Sequence, residues 1–375
     1  MNLSTSAHAR TGAACVLCLL LLLFSAARAD AQLATQPAAL PPEKVRQIEA
    51  LVSAEMAKQK IPGLTVAVGA GRQVRWSAGF GVQDIENNVA AKPATVYRLG
   101  SISKPITAVA VMQLFERGRL DLDAPVQKYC PAFPEKQWPV TTRQVLGHLA
   151  GIRHYKSDEE FNNTRFYASV AEGLSMFKDD PLLFEPGTKY SYTTHGYSVL
   201  GCVVEGASGQ KFAAFVGENV FKPAAMEHIR VDSVADIIPN RAQGYRITDK
   251  GVLTNSPLAD NSYKVPGGGF VSTAEDLARF AVALQTGRLL KRETVELMYA
   301  PQKTKDGKET AYGLGWGITK RPTGERAVGH SGGQQRVSTF LHMQPEQGLV
   351  VVIMSNLEGA RLGDLAQRIG DVILR

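Results

Sequence analysis

Cysteine is scarce in this chain, which has four. Two of them, Cys15 and Cys18, fall in an N-terminal stretch of unusual composition. Only Cys130 and Cys202 remain beyond it, too few for a disulfide scaffold. One bridge between them is open, and the sequence alone does not decide it. Internal repeats and low-complexity tracts are absent. So is any lysine- and arginine-rich run interleaved with aromatics, although the formal charge is +7. The positive balance is diffuse, which argues against a nucleic-acid partner. No carboxylate or cysteine stands at ligand spacing with His148 or His154, so neither a metal nor another cofactor is expected. The longest apolar run, Ala13 to Phe24, is too short to span a bilayer comfortably.

That run follows Arg10 and precedes the small residues around Ala27-Arg28-Ala29 and Ala29-Asp30-Ala31. A basic end, a short apolar centre and an A-x-A site are the layout of a secretory leader. Neither Cys15 nor Cys18 ends the run, where a lipoprotein cysteine would stand. Residues 1–31 are therefore expected to be removed after Ala29 or Ala31. The mature protein would be periplasmic or secreted, with no stable membrane span. Loss of Arg10, Arg28 and Asp30 leaves a formal charge of about +6.

Composition after the leader is that of a soluble globular protein, with 44% hydrophobic and 21% charged residues over the whole chain. Residues 32–42 are proline-rich and read as a linker. Glu43 to Lys60 carries Val45, Ile48, Val52 and Met56 at helical spacing. Leu64 to Val68 and Val74 to Trp76 read as a strand pair turning at Gly69-Ala70-Gly71. A mainly helical, loop-rich middle begins near Leu120. Pro266-Gly267-Gly268-Gly269 leads into Ser272-Thr273-Ala274-Glu275, read as a capping box opening a helix to about Leu284. Ser338 to Met343 and Leu349 to Met354 read as strands around a Pro345-Glu346-Gln347-Gly348 turn. Leu362, Leu365, Ile369, Val372 and Ile373 mark a terminal amphipathic helix. The short strand connections predict antiparallel pairing. The expected class is α/β in the broad sense (α+β): an antiparallel sheet from both chain ends, covered by terminal helices, with a mainly helical region inserted. In numbers, 43–100 and 265–375 form the α/β part and 101–264 the helical part of one catalytic unit, 43–375.

Thr95 to Thr107 carries the most specific chemistry. Ser101 and Lys104 stand three apart just before a long apolar-periodic segment, with Gly100 ahead and Pro105 behind. Proline is tolerated only in a helix's first turn, which puts Ser101 at a helix start. Lys104 shares its face and can reach the Ser101 hydroxyl. An amine kept neutral by burial can take the serine proton, and the helix N-terminus favours the negative charge that develops. The pattern points to acyl transfer.

Two later clusters complete a constellation: Tyr190-Ser191-Tyr192-Thr193-Thr194-His195-Gly196-Tyr197 and Gly329-His330-Ser331-Gly332-Gly333. With Ser101 and Lys104 they resemble, in order and spacing, the three motifs of the serine β-lactamase and penicillin-binding protein superfamily. The similarity covers roughly residues 43 to 375. It is greatest to the class C β-lactamase branch with its esterases and D-amino-acid peptidases. Gly147-His148-Leu149-Ala150-Gly151-Ile152 and Gly267 to Thr273 share in it. The resemblance implies that Ser101 is the acylated nucleophile, Lys104 its proton partner and Tyr192 a general base. It implies an oxyanion hole made by the N–H groups of Ser101 and Gly333, with Thr194, His330, Ser331 and Gly332 around the substrate. Thr194 stands where the family has asparagine, and His330 where it has lysine. These departures are closer to the mitochondrial β-lactamase-like proteins and argue against efficient β-lactam hydrolysis. His330, titrating near neutrality, would hold a substrate carboxylate only when protonated, with Arg336 as a competing cation.

The implied function is a serine hydrolase acting on an amide or ester of a small molecule or peptide. The alternatives are a catalytically weak binder of peptidoglycan peptides and a transpeptidase.

Overall fold

The computed structural model describes residues 39–321 and 324–375. The expected leader lies outside the described residues, as does most of the expected linker. The linker's last residue, Pro42, already opens helix α1 (Pro42–Gln59), since proline at a first helical position gives up only an N–H that would go unbonded.

Seven strands form one sheet: β1 (Gly63–Ala70), β2 (Gln73–Asp84), β3 (Val89–Ala90), β4 (Gly317–Lys320), β5 (Arg326–Gln334), β6 (Val337–Gln344) and β7 (Leu349–Ser355). Their order is β3-β2-β1-β7-β6-β5-β4, and every neighbouring pair is antiparallel. The two halves meet where β1 pairs with β7, from Leu64 opposite Ser355 to Gly69 opposite Val350. β7 reads Leu-Val-Val-Val-Ile-Met-Ser and is buried along its whole length. A strand covered on both faces has no polar face to show, so its sequence is a continuous apolar run.

The two faces bury different partners. Leu64, Val66, Val68, Val351 and Ile353 pack with Ile48 and Val52 of α1 and with Leu365 and Ile369 of α5 (Gly363–Leu374). Ala67, Val350, Val352 and Met354 join the larger core with Leu277 and Ala281 of α4 (Ala274–Gln285). α4 starts differently from the expected capping box. Its N-cap is Thr273, which accepts from the Asp276 N–H. The Asp276 carboxylate turns away to accept from the Ser272 hydroxyl and from the N–H groups of Glu227 and His228.

The inserted region packs around α2 (Ser103–Glu116), whose residues from Ser103 to Leu114 are all buried. A helix apolar on all sides belongs inside a large core. Against it lies α3 (His195–Ser208). Cys202 of α3 is disulfide-bonded to Cys130. Among the described residues no helix is long and apolar enough to cross a membrane.

Candidate active site

The turn that carries Ser101 is a short 3-10 helix, Gly100–Ile102, running into α2. Its approach is fixed by the short strand Tyr97–Arg98, which pairs with Phe270–Ser272. The Arg98 guanidinium is buried and lies 2.8 Å from the Asp232 carboxylate. The Leu99 N–H donates to the Phe270 carbonyl, and the Leu99 carbonyl accepts from the Thr339 hydroxyl of β6. Gly100 has φ +53°, and a Cβ there would stand 2.9 Å from the Gly333 nitrogen. Only glycine suits both the left-handed backbone and so close a strand. β5 thus brings the Gly333 N–H beside the Ser101 turn.

Lys104, one turn on, is fully buried. Its Nζ is 2.9 Å from Ser101 Oγ, 3.1 Å from Thr194 Oγ1 and 2.9 Å from the Gly267 carbonyl. Burial, with the Lys264 charge adding to it, holds its amine well below the usual lysine range. A neutral amine has two hydrogens and one lone pair. The Gly267 carbonyl can only accept, and Thr194 takes the second hydrogen, so the lone pair faces the serine. Thr194 immediately precedes α3, yet its hydroxyl serves Lys104 rather than capping that helix.

The Tyr192 ring centroid lies 4.8 Å from Lys104 Nζ, and Tyr192 lines the same cavity as Ser101. Burial pushes its phenol far above the ordinary tyrosine range, against the smaller opposite effect of the nearby Ser101 hydroxyl. At neutral pH Tyr192 is a phenol. Two histidines grip the backbone next to it. His148 Nδ1 accepts from the Thr193 N–H at 3.2 Å, and His154 Nδ1 accepts from the Thr194 N–H at 3.1 Å. Burial, then the charge of Lys104, lowers His154 to about 4, so it stays a neutral acceptor. No local pattern signals this clamp beyond His148's place in a glycine-rich segment.

Ser101, Tyr192, Thr194, Gly267 and Gly333 open on one cavity of about 520 Å3, with Lys104 beneath them. His330 and Ser331 line a neighbouring cavity instead, on the far side of Tyr192. The His330 ring is committed within the protein. Nδ1–H donates to the Ser331 carbonyl at 2.6 Å, and Nε2 accepts from the Tyr312 hydroxyl at 2.8 Å. Burial, with Lys104 second, lowers it to about 3. The expected switchable cation for a carboxylate is therefore absent at neutral pH. His330 holds Tyr312 and the β5 backbone. Gly332 packs where a Cβ would stand 2.1 Å from the Leu99 carbonyl. Arg336 lies in the β5–β6 turn, its N–H bonded to Ser256 and Glu358, and it does not line the Ser101 cavity. Among the described residues no cluster of three or more histidine, cysteine, aspartate or glutamate side chains could hold a metal ion.

A serine beside a buried amine, next to a strand that supplies backbone N–H groups, is the arrangement of the serine β-lactamase and penicillin-binding protein superfamily. The chain belongs to the β-lactamase family, whose description matches residues 48–373. Serine β-lactamase-like protein LACTB, mitochondrial, of Homo sapiens is 31% identical over 82% of this chain and 76% of its own length. Penicillin-binding protein 4* of Bacillus subtilis is 28% identical over 78% of this chain and 68% of its own. The octameric penicillin-binding protein homologue from Pyrococcus abyssi superimposes with TM-score 0.75 and 25% identity, covering 88% of this chain and 77% of that one.

Proposed function

We propose that this protein is a serine hydrolase that acylates Ser101 on an ester or amide carbonyl and releases the acyl group to water. The observation that carries the reading is the 2.9 Å contact between Ser101 Oγ and the buried Lys104 amine. In attack, the Ser101 proton passes to the Lys104 lone pair as the Oγ–carbon bond forms. Charge on the carbonyl oxygen is met by the N–H groups of Ser101 and Gly333. As the intermediate collapses, the Tyr192 phenol gives its proton to the leaving oxygen or nitrogen and is refilled from Lys104. Deacylation reverses the relay with water as nucleophile. Tyr192 thus carries protons as a neutral phenol, in place of the free base that the motif alone suggested.

We infer also that the protein is exported. The leader-like N-terminus supports this, as does the Cys130–Cys202 disulfide, since such bonds persist in oxidising compartments.

A fluorophosphonate probe should modify Ser101, located by mass mapping, and Ser101→Ala should abolish the label. Label on any other serine would overturn the assignment.

A further inference from the structure

Behind the wall of the Ser101 cavity lies a lysine that the proposed chemistry does not use. Lys264 is 1% exposed, and its Nζ has no hydrogen-bond partner among the described residues. It is ringed instead by Tyr155, Phe161 and Tyr263, with centroids 5.2, 4.8 and 5.1 Å away. Ring faces recover only part of what an ammonium loses on leaving water. Two of those rings, Tyr155 and Phe161, face the cavity, as do Gly268 and Gln334. The wall is thin at Gly268, where a Cβ would stand 3.6 Å from Lys264 Cδ and 3.3 Å from Gln334 Oε1. The Gln334 Nε2 is likewise buried and unpartnered among the described residues.

We propose that Gly268, Gln334 and Lys264 form a subsite for a carboxylate carried by the substrate, with the Gln334 amide donating and Lys264 supplying the charge. The proposal rests on the reading of Ser101 as nucleophile and deepens it. It names the substrate class as anionic esters or amides, and it replaces the cation that His330 does not provide. Lys156, also on the cavity rim, is already 2.8 Å from Asp180.

The pH dependence has a definite sign. Burial first, and then the Arg98 guanidinium, bring the Lys264 amine to about 7, against the pull of Asp232. Lys104, His154 and His195 feel its charge from the other side. The cation is present below that pH and fades above it. Any influence on Lys104 affects all substrates alike and cancels in a ratio.

The test compares Ser101 acylation and turnover with phenyl butyrate, phenyl hemiglutarate and 3-carboxyphenyl butyrate, which place the carboxylate nowhere, on the acyl side and on the leaving side. At pH 6 the wild type should favour one carboxylate ester over the neutral one by about tenfold or more in kcat/KM. Lys264→Met should remove the preference, read as the ratio of carboxylate to neutral ester in the same protein, so that any change it makes at Lys104 drops out. In the wild type, with no substitution to disturb folding, the preference should shrink as pH rises from 6 to 9. No preference for either carboxylate ester would overturn the subsite. So would a preference that survives in folded Lys264→Met, that is lost in Lys156→Met instead, or that stays flat with pH. Turnover persisting in Ser101→Ala, or acylation by none of the three esters, would overturn the hydrolase reading and the subsite with it.

Discussion

Lys104 is the residue whose surroundings decide the chemistry. With no carboxylate among its hydrogen-bond partners, its charged form has nothing to repay desolvation, and the neutral form is favoured. Lys104→Met keeps much of the volume and removes the proton acceptor. Acylation of Ser101 should fall by about 10²–10⁴-fold with little change in thermal midpoint. Because the amine must be neutral to act, wild-type acylation should rise with pH through the lowered amine pKa and level off well below the ordinary lysine range. Stopped-flow acylation from pH 5 to 9 checks this; a rate still climbing at the top of that range would contradict it. Ser101 and Lys104 could be paired in advance because a helix start brings positions three apart onto one face, whereas Tyr192 entered only through the resemblance in motif order. His330 was legible as a position but not as a role. Its proton depends on Tyr312, a partner that no local pattern links to it. Lys264 gave no signal, because a lone lysine in a sequence is ordinarily a solvated one.

Among the elements, β5 is the one held against the nucleophile. It runs so close to the Ser101 turn that Gly332 has no room for a methyl group beside the Leu99 carbonyl and the Thr339 hydroxyl. Gly332→Ala should push the strand outward and carry the Gly333 N–H off its target. Loss of one such donor costs about 10²–10³-fold in kcat. The expected outcome is a folded protein, by circular dichroism, in which ester turnover falls by that amount; unchanged turnover would remove Gly333 from the oxyanion site. β1, β2, β6, β7 and the outer helices could be read in advance because burial on two faces or one imposes plain apolar patterns, whereas β3 and β4 are too short and β5 too rich in glycine to show one. The cap of α4 was misplaced by one residue, since Ser272-x-x-Glu275 and Thr273-x-x-Asp276 overlap and only tertiary contacts to Glu227 and His228 separate them. The pairing of Tyr97–Arg98 with Phe270–Ser272 was hidden by its brevity and by the length of chain between the partners.

On the scale of the whole molecule, the disulfide closes a loop with a sequence separation of 72. Chain-entropy arguments assign such a closure about 4 kcal/mol. The Cys130→Ser, Cys202→Ser pair should therefore unfold at clearly lower temperature or denaturant than the oxidised protein; coincident denaturation curves would count against a stabilising bridge. Export carries its own check, since N-terminal sequencing of the mature protein should begin near residues 30 to 32, and an intact Met1 would contradict cleavage. The sheet adds a consequence in time. β1 has to wait for β7, and the Ser101 turn for Gly333, so strands made early find their neighbours only near the end of synthesis. A half-made chain already holds its serine and lysine but lacks the second backbone donor that we assign to the oxyanion. On the proposed reading, acylating power would arise only once β5 is made and packed beside the Ser101 turn, and a nascent chain would spare whatever carbonyls it meets on the way.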